Sequence, residues 1–540
     1  MGATIRYVGV RWQMLVGRYD GVQQFAVDEL QRMVQYFLPY VLAVEPAKDQ
    51  PALGSGPNAN AHAAATHENN LLLVGTAKDN GAIARLLRQG TIAVPAQDGG
   101  YCIASLKSPW NQERKLIVVA GHDDAGVLYG VEDLCARVLG RHASYDWKAP
   151  QIMPEDPSLM RKAFDEIPEF AIADYPRIAS RGLWTWGYVI YDYKRFLDNM
   201  ARFRMNMLIV WNDTPPLNSP QIIAYAHSRG IKIIYGFHWG WDMPGIELDN
   251  PRHRKQIKDL VVARYRKDYQ HLDLDGIYFQ TLTEHDQTKL GGRSLASVVT
   301  DWVNDIARGL FKIKNDLYIQ FGLHATSIKD DYKDLAALDK RISIVWEDAG
   351  ALPWSYEPHA DFRKGGMCKP ANLNTSKKAL EYSKKLVDLA RLRSAPDAAA
   401  GASGVKTSQK AGLRPGAEFA MVPKGWICLR WGADFEHHGP FIMGERHPRY
   451  IRDRLAQRQP RWDMVNALWL QHYPVAARFY REILDLKPAR TLVAGLVEDG
   501  MFEEAIQPSV ALFAQTLWNP YLPDDEILEL ALSPYYRNML

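Results

Sequence analysis

Two rhythms of apolar residues alternate along this chain. One is the short continuous run that a buried strand makes, and the other is a longer stretch with apolar positions every three or four residues, as on one face of a helix. In the first part, to about residue 165, the runs Leu71–Gly75 and Leu116–Gly121 end in glycine, as strands feeding turns do. A helical pattern follows at Ala125–Leu139, and the Pro-rich, acidic stretch Gln151–Pro168 reads as a linker. From Arg181 onward strand, loop and helix repeat in turn, the mark of a parallel sheet with helical crossovers. The candidate strands are Gly182–Trp186, Met207–Trp211, Ile231–Phe237, Gly276–Thr281, Tyr318–Leu323, Ile342–Trp346, Gly425–Trp431 and Val510–Leu517. Amphipathic stretches at Tyr193–Arg204, Arg252–Tyr269, Leu295–Ile313 and Lys377–Leu392 separate several of them.

These elements predict an α/β fold: an N-terminal α/β domain over residues 1–165, then a TIM (β/α)8 barrel over 170–455 whose last strand comes near 510–518. A mainly helical region over 456–540 is expected from the patterning of Arg461–Leu486 and Asp524–Tyr536. The segment Ser394–Gly416 has no aromatic residue and is rich in Ala, Gly, Ser and Lys, the composition of an exposed loop.

A barrel of this kind builds its site at the C-terminal ends of the strands, and there the polar residues recur. The first candidate strand carries Trp184, the second ends Trp211-Asn212-Asp213, and the third leads through His238 to Trp241-Asp242. The fourth runs from Gln280 to Glu284-His285, the fifth closes on His324, and the sixth ends Trp346-Glu347-Asp348. Trp431, Glu436 and His437 follow the seventh, and Trp518-Asn519 end the eighth. A lone strand-end carboxylate is commonly a helix cap. A set repeated over seven strands fits cleavage of a glycosidic bond, in which one carboxylic acid protonates the leaving oxygen and a second carboxylate activates water or attacks the anomeric carbon. Glu284 is the first choice for the acid, and Glu347 or Asp348 for the second carboxylate, with a slight preference for Glu347. The remaining residues named here are expected to bind substrate, amides and imidazoles on hydroxyls and Trp faces on the sugar ring. The histidines form no HxH or HExxH pattern, so neither a metal nor a cofactor is expected.

Composition narrows the partners. At 540 residues the chain exceeds one hydrophobic core, and 47% hydrophobic with 24% charged residues is a globular balance. A net charge of +3 leaves no basic stripe for nucleic acid or an anionic membrane, and no apolar run is long enough to span one. The 16 Trp and 26 Tyr tilt the reading toward an oligosaccharide or polysaccharide partner. Cys102, Cys135, Cys368 and Cys428 lie far apart, which suits a reduced compartment. A cytoplasmic protein is expected, or a secreted or periplasmic one if a leader has been removed. The helical C-terminal region leaves room for a homo-oligomer.

Both parts of the chain also resemble known enzymes. Leu72-Leu73-Val74-Gly75-Thr76, Gly99-Gly100-Tyr101, Val118-Val119-Ala120-Gly121 and Gly126-Val127-Leu128-Tyr129-Gly130-Val131-Glu132-Asp133-Leu134 look like the small domain that precedes the barrel in family 20 β-hexosaminidases and family 67 α-glucuronidases. Arg181-Gly182-Leu183-Trp184, a helix, and Met205-Asn206-Met207 are similar to the first barrel repeat of those enzymes. Family 20 enzymes carry an Asp-Glu pair after the fourth strand, and here that position reads Thr283-Glu284. The acid is kept, but the residue that would steer a substrate acetamide is not. The family 67 layout, with a Glu acid and later carboxylates activating water, matches Glu284 with Glu347 or Asp348 better. The resemblance therefore implies an exo-acting glycosidase, with a terminal uronic acid favoured; no family 67 signature for binding a glucuronate carboxylate can be traced residue by residue, although Arg181, Lys232 and Arg430 are available cations. A β-N-acetylhexosaminidase is the alternative, and a non-catalytic sugar-binding barrel a further one.

Overall fold

The computed structural model describes residues 9–47, 68–139, 162, 164–240, 243–280, 283, 287–324, 328–347, 354–355, 369–370, 373–394, 418–426, 439–444, 448–497, 501–504 and 506–536. The N-terminal sheet comprises β1 (Trp12–Val16), β2 (Ala43–Pro46), β3 (Asn70–Thr76), β4 (Tyr101–Ser108), β5 (Asn111–Gly121) and β6 (Phe170–Asp174), in the spatial order β2-β1-β3-β5-β4-β6. Its left half is parallel, and β4 runs antiparallel to both neighbours. β1 and β3 are buried at every residue, which requires cover on both faces. Helices α1 (Gly21–Gln35), α2 (Gly81–Arg88) and α3 (Asp124–Leu134) supply that cover. The start of α2 is set by Asn80, whose side chain accepts from the backbone N–H groups of Ala82 and Ile83 at 3.1 and 3.3 Å. Of the expected linker over 151–168, residues 162 and 164–168 are described.

The second unit is a closed barrel of parallel strands: β7 (Ser180–Trp186), β8 (Met207–Trp211), β9 (Lys232–Gly236), β10 (Gly276–Gln280), β11 (Ile319–Leu323), β12 (Ile342–Trp346), β13 (Glu418–Met421) and β14 (Arg490–Leu496). β14 pairs with β7 and closes the ring. The described crossover helices are α4 (Tyr193–Arg202), α5 (Ser219–His227), α6 (Pro251–Arg264), α7 (Leu295–Phe311), α8 (Leu373–Ser394) and α9 (Pro448–Asp485). Helices α10 (Pro508–Trp518) and α11 (Asp524–Tyr536) follow β14. No described helix is long and apolar enough to cross a membrane.

The first six barrel strands lie where the apolar runs put them, and the last two do not. The seventh is the short run Glu418–Met421, ahead of the expected Gly425–Trp431. The eighth is Arg490–Leu496, so the stretch assigned to a helical C-terminal region contains the strand that closes the barrel. Val510–Leu517, expected as that strand, is helical. Every residue from Ser509 to Trp518 is buried, so this helix has no polar face and shows no helical period. Its sequence signals were Pro508 at the first turn and a length beyond that of most strands.

The two units meet at the N-terminal ends of the barrel strands. Trp518 at the end of α10 is fully buried there, donating its Nε1–H to Asp174 Oδ2 at 2.8 Å, with its ring 4.1 Å from the Arg204 guanidinium carbon. Arg204 follows α4 in a left-handed conformation with φ of 58°. That backbone costs a non-glycine residue roughly 1–2 kcal/mol. The side chain offsets it by bonding Gln515 Oε1 at 2.6 Å, while the Arg204 carbonyl accepts from Arg181 Nη2 at 2.7 Å.

Candidate active site

A strand turns alternate side chains to opposite faces, so in a closed barrel every second residue points inward. On β10 these are Tyr278 and Gln280. Continued one step past the strand ends, the same parity brings in His324 after Gly322 and Glu347 after Val345. Trp184, Trp211, Tyr278, Val345 and Val422 share one interior cluster, and the half-buried Trp186 packs on it. Trp184 meets Trp186 edge-on with ring centroids 4.7 Å apart and stacks on Trp211 at 6.2 Å, forming a floor below the C-terminal mouth.

Glu347 sits in this mouth, 1% exposed. Its backbone N–H donates to the Leu323 carbonyl at 2.8 Å, which extends the β11–β12 pairing by one residue and fixes the side chain's direction. His324 Nε2 stands 3.2 Å from Oε2, and the Gln280 amide donates to Oε1. Burial would push this carboxyl up. The imidazole of His324, the Lys424 ammonium and the Gln280 amide outweigh burial and hold it below the usual range, so Glu347 is ionised at neutral pH. Tyr278 lies alongside it. Burial first, and then the Glu347 charge, push that phenol well above its ordinary value, so it remains protonated.

The carboxylate and the phenol approach each other over Gly322. A Cβ at 322 would lie 2.8 Å from Tyr278 Cζ and 2.9 Å from Glu347 Oε2. Glycine inside a strand packs nothing of its own, and here it leaves room for these two groups. On the neighbouring strand end the Thr283 hydroxyl, fully buried, accepts from the His324 backbone N–H at 3.1 Å. The chain beside position 284 is thereby tied to the end of β11.

Of the residues named from sequence, the structure brings together Gln280, His324, Glu347 and Trp211, with Trp184 beneath them. Asn212 is buried at the end of β8, its backbone N–H bonded to the Gly236 carbonyl at 3.0 Å. His238 is buried with Nε2 2.8 Å from Arg264 Nη1. Asp213 is exposed, and its carbonyl accepts from Arg264. Trp346 faces the other way: strand parity turns it outward onto α8, where its ring lies 5.1 Å from that of Tyr382. Trp518 and Asn519 belong to the opposite end of the barrel, because the segment carrying them is a helix. The Trp518 carbonyl accepts from Arg177 N–H at 2.8 Å, before β7 begins. Glu284, His285, Asp348, Trp241, Asp242, Trp431, Glu436 and His437 lie outside the described residues.

Tyr278, Lys424 and Trp186 were missed in the sequence. Each is two residues from a position already recognised or already inward, Gln280, Val422 and Trp184, so strand parity was the signal. Two cations considered for a uronate, Arg181 and Lys232, stand at the wrong end of the strands. Arg181 is buried with its guanidinium on the Ile178 and Arg204 carbonyls, and Lys232 opens β9. Arg430 lies outside the described residues. Among the described residues no group of three or more His, Cys, Asp or Glu could hold a metal ion.

No family model matches the chain, and no curated protein matches it either. Among solved structures it is similar to a β-N-acetylhexosaminidase from Bacteroides fragilis NCTC 9343, at 12% identity over 96% of this chain and 88% of that one, with a TM-score of 0.41. A GH20 exo β-N-acetylglucosaminidase from Vibrio harveyi, solved with N-acetylglucosamine, gives 10% identity over 98% and 73% with a TM-score of 0.41. CpGH84B gives 13% over 70% of this chain, which spans 56% of that protein's length, also with a TM-score of 0.41. Likeness this distant does not carry chemistry from one protein to another.

Proposed function

We propose that the chain is a glycoside hydrolase in which Glu347 is the ionised carboxylate and Glu284 the acid. The observation that supports this reading is a carboxylate almost fully buried at the mouth of a parallel barrel, yet held ionised by an imidazole, an ammonium and an amide. A structural ion pair has no need of that position, and a carboxylate that stays ionised suits attack on an anomeric carbon or activation of water, not proton donation. The proton for the leaving oxygen then comes from another group. Glu284, one residue along the chain from the anchored Thr283, is the candidate.

In this scheme Glu284 protonates the glycosidic oxygen as the bond to the anomeric carbon breaks. Glu347 either forms a bond to that carbon or takes a proton from the incoming water. His324 and Gln280 keep the Glu347 carboxylate in place, and the half-buried Trp186 offers an aromatic edge to the sugar. Arg181 and Lys232 stand at the far end of the barrel, whereas the Lys424 ammonium acts on Glu347, so a uronic acid and an N-acetylhexosamine both belong in the test.

The test is a panel of aryl glycosides and natural oligosaccharides, including glucuronides and N-acetylhexosaminides, with wild type, Glu347→Gln and Glu284→Gln. Glu347→Gln should lose at least roughly a hundredfold on the substrate that wild type cleaves. Glu284→Gln should lose as much on natural glycosides and much less on aryl glycosides whose leaving group needs no proton. Turnover by Glu347→Gln at the wild-type rate would sink the assignment. Sugar binding unchanged in both variants, with no hydrolysis by wild type, would establish the non-catalytic binding barrel instead.

A further inference from the structure

Two buried oxygens flank Gly322 inside the barrel: the phenol of Tyr278 on β10 and Oε2 of Glu347 just past β12. A Cβ at 322 would lie 2.9 Å from Oε2 and closer still to the phenol oxygen. Both side chains are almost wholly buried. Among the described residues the phenol makes no hydrogen bond, and Oε2 makes none of normal geometry, although the His324 imidazole stands 3.2 Å from it. A donor and an acceptor that are buried side by side and left unpaired call for an explanation.

A phenylalanine at 278 would fill the same space against Trp184 and Trp211, whose rings lie 6.0 and 6.2 Å away, without burying a hydroxyl. An oxygen this deep does not meet a sugar, and the acceptor beside it is Glu347. The last torsion of a glutamate is soft, so a small turn of the carboxylate brings Oε2 onto the hydroxyl. The other groups facing the carboxylate come from three more places: the Gln280 amide on Oε1, the His324 imidazole beside Oε2, and the Lys424 ammonium past β13. At about 3.3 Å of rise per residue, Tyr278 stands roughly 7 Å deeper than the half-buried Gln280. Oε1 is therefore the oxygen toward the mouth, and Oε2 the one beneath.

We propose that Tyr278 is a positioning residue whose phenol donates a hydrogen bond to Glu347 Oε2 from beneath and leaves Oε1 as the oxygen presented to substrate. The kinetic consequence rests on the glycosidase reading; the hydrogen bond does not. Because the bond is made to the charged form, removing it raises the pH at which Glu347 takes up a proton.

The test compares the full chain, wild type and Tyr278→Phe, by carbon-13 NMR with carboxyl-labelled glutamate, the Glu347 signal being the one absent from Glu347→Gln. The midpoint of its titration is expected to rise by about half a pH unit or more in Tyr278→Phe. On the substrate that wild type cleaves, the acidic limb of kcat/KM should move up with it, and kcat should fall at least roughly tenfold with KM within about twofold. A residue that only fills the core would leave both the midpoint and the limb in place. Should Tyr278→Phe not fold, 3-fluorotyrosine built in at every tyrosine supplies a stronger donor and should lower the Glu347 midpoint instead. A midpoint unchanged in the folded protein overturns the proposal whatever the activity, and so does an unchanged kcat. A midpoint that moves in a chain that cleaves no glycoside leaves the hydrogen bond standing and sinks the glycosidase reading.

Discussion

Adding one methyl group at Gly322 should damage both the stability and the chemistry of this protein. The Cβ of an alanine would lie 2.8 Å from Tyr278 Cζ and 2.9 Å from Glu347 Oε2, with the phenol oxygen closer still. Non-bonded carbon atoms rest at about 3.5–4.0 Å, so one neighbour must retreat by roughly 0.7 Å or more. Tyr278 has nowhere to go, since it is fully buried with the rings of Trp184 and Trp211 at 6.0 and 6.2 Å. Moving Glu347 instead disturbs its contacts with His324 and Gln280. Overpacking of this kind costs about 1–3 kcal/mol, and displacement of a reacting group by about 1 Å can lower kcat by roughly a hundredfold. Urea unfolding and steady-state kinetics of Gly322→Ala on the substrate found by the panel measure both. Adding Tyr278→Phe should recover the stability only in part, because Cζ still crowds the new methyl. If Gly322→Ala unfolds within about 0.5 kcal/mol of wild type and keeps its kcat, the close approach over residue 322 is refuted.

Three further outcomes are expected. Because the folded Glu347 carboxyl is held low, its contribution to stability is complete above the usual glutamate range near about 4.3 and is lost as pH falls through the folded value. The stability difference between wild type and Glu347→Gln should therefore shrink on acidification below that range, and a difference that grows there contradicts the assignment. Thr283→Val leaves the His324 backbone N–H without its acceptor and should destabilise by about 1–3 kcal/mol while lowering turnover; calorimetry and kinetics together check it. Trp518→Phe removes the donor to the buried Asp174 Oδ2, while Oδ1 keeps the Tyr175 N–H and Arg177, and should destabilise by about 1–3 kcal/mol, with KM and kcat of the folded enzyme unchanged because Trp518 lies at the other end of the barrel. A changed KM would return Trp518 to the substrate site.

What the sequence determined by itself was local. The apolar runs of β7 to β12, their alternation with amphipathic stretches and the polar residues at their ends specified a parallel α/β barrel and pointed to Glu347, His324 and Gln280. These are properties of single strands, legible because a strand repeats every two residues and a buried parallel strand is apolar throughout. The tertiary structure decided what depends on neighbours. It gave Val510–Leu517 to a helix, since a helix buried on all sides loses the polar face that marks its period. It made Arg490–Leu496 the closing strand, because closure depends on pairing with β7, a contact across more than half of the chain. It turned Trp346 outward and moved Trp518 to the base, and it joined Tyr278, Gly322, Glu347 and Lys424, which come from four separate strands or strand ends. Identity and order along the chain say which residues are available to one another. Distance, burial and the charge that Glu347 retains arise only when the ring is closed.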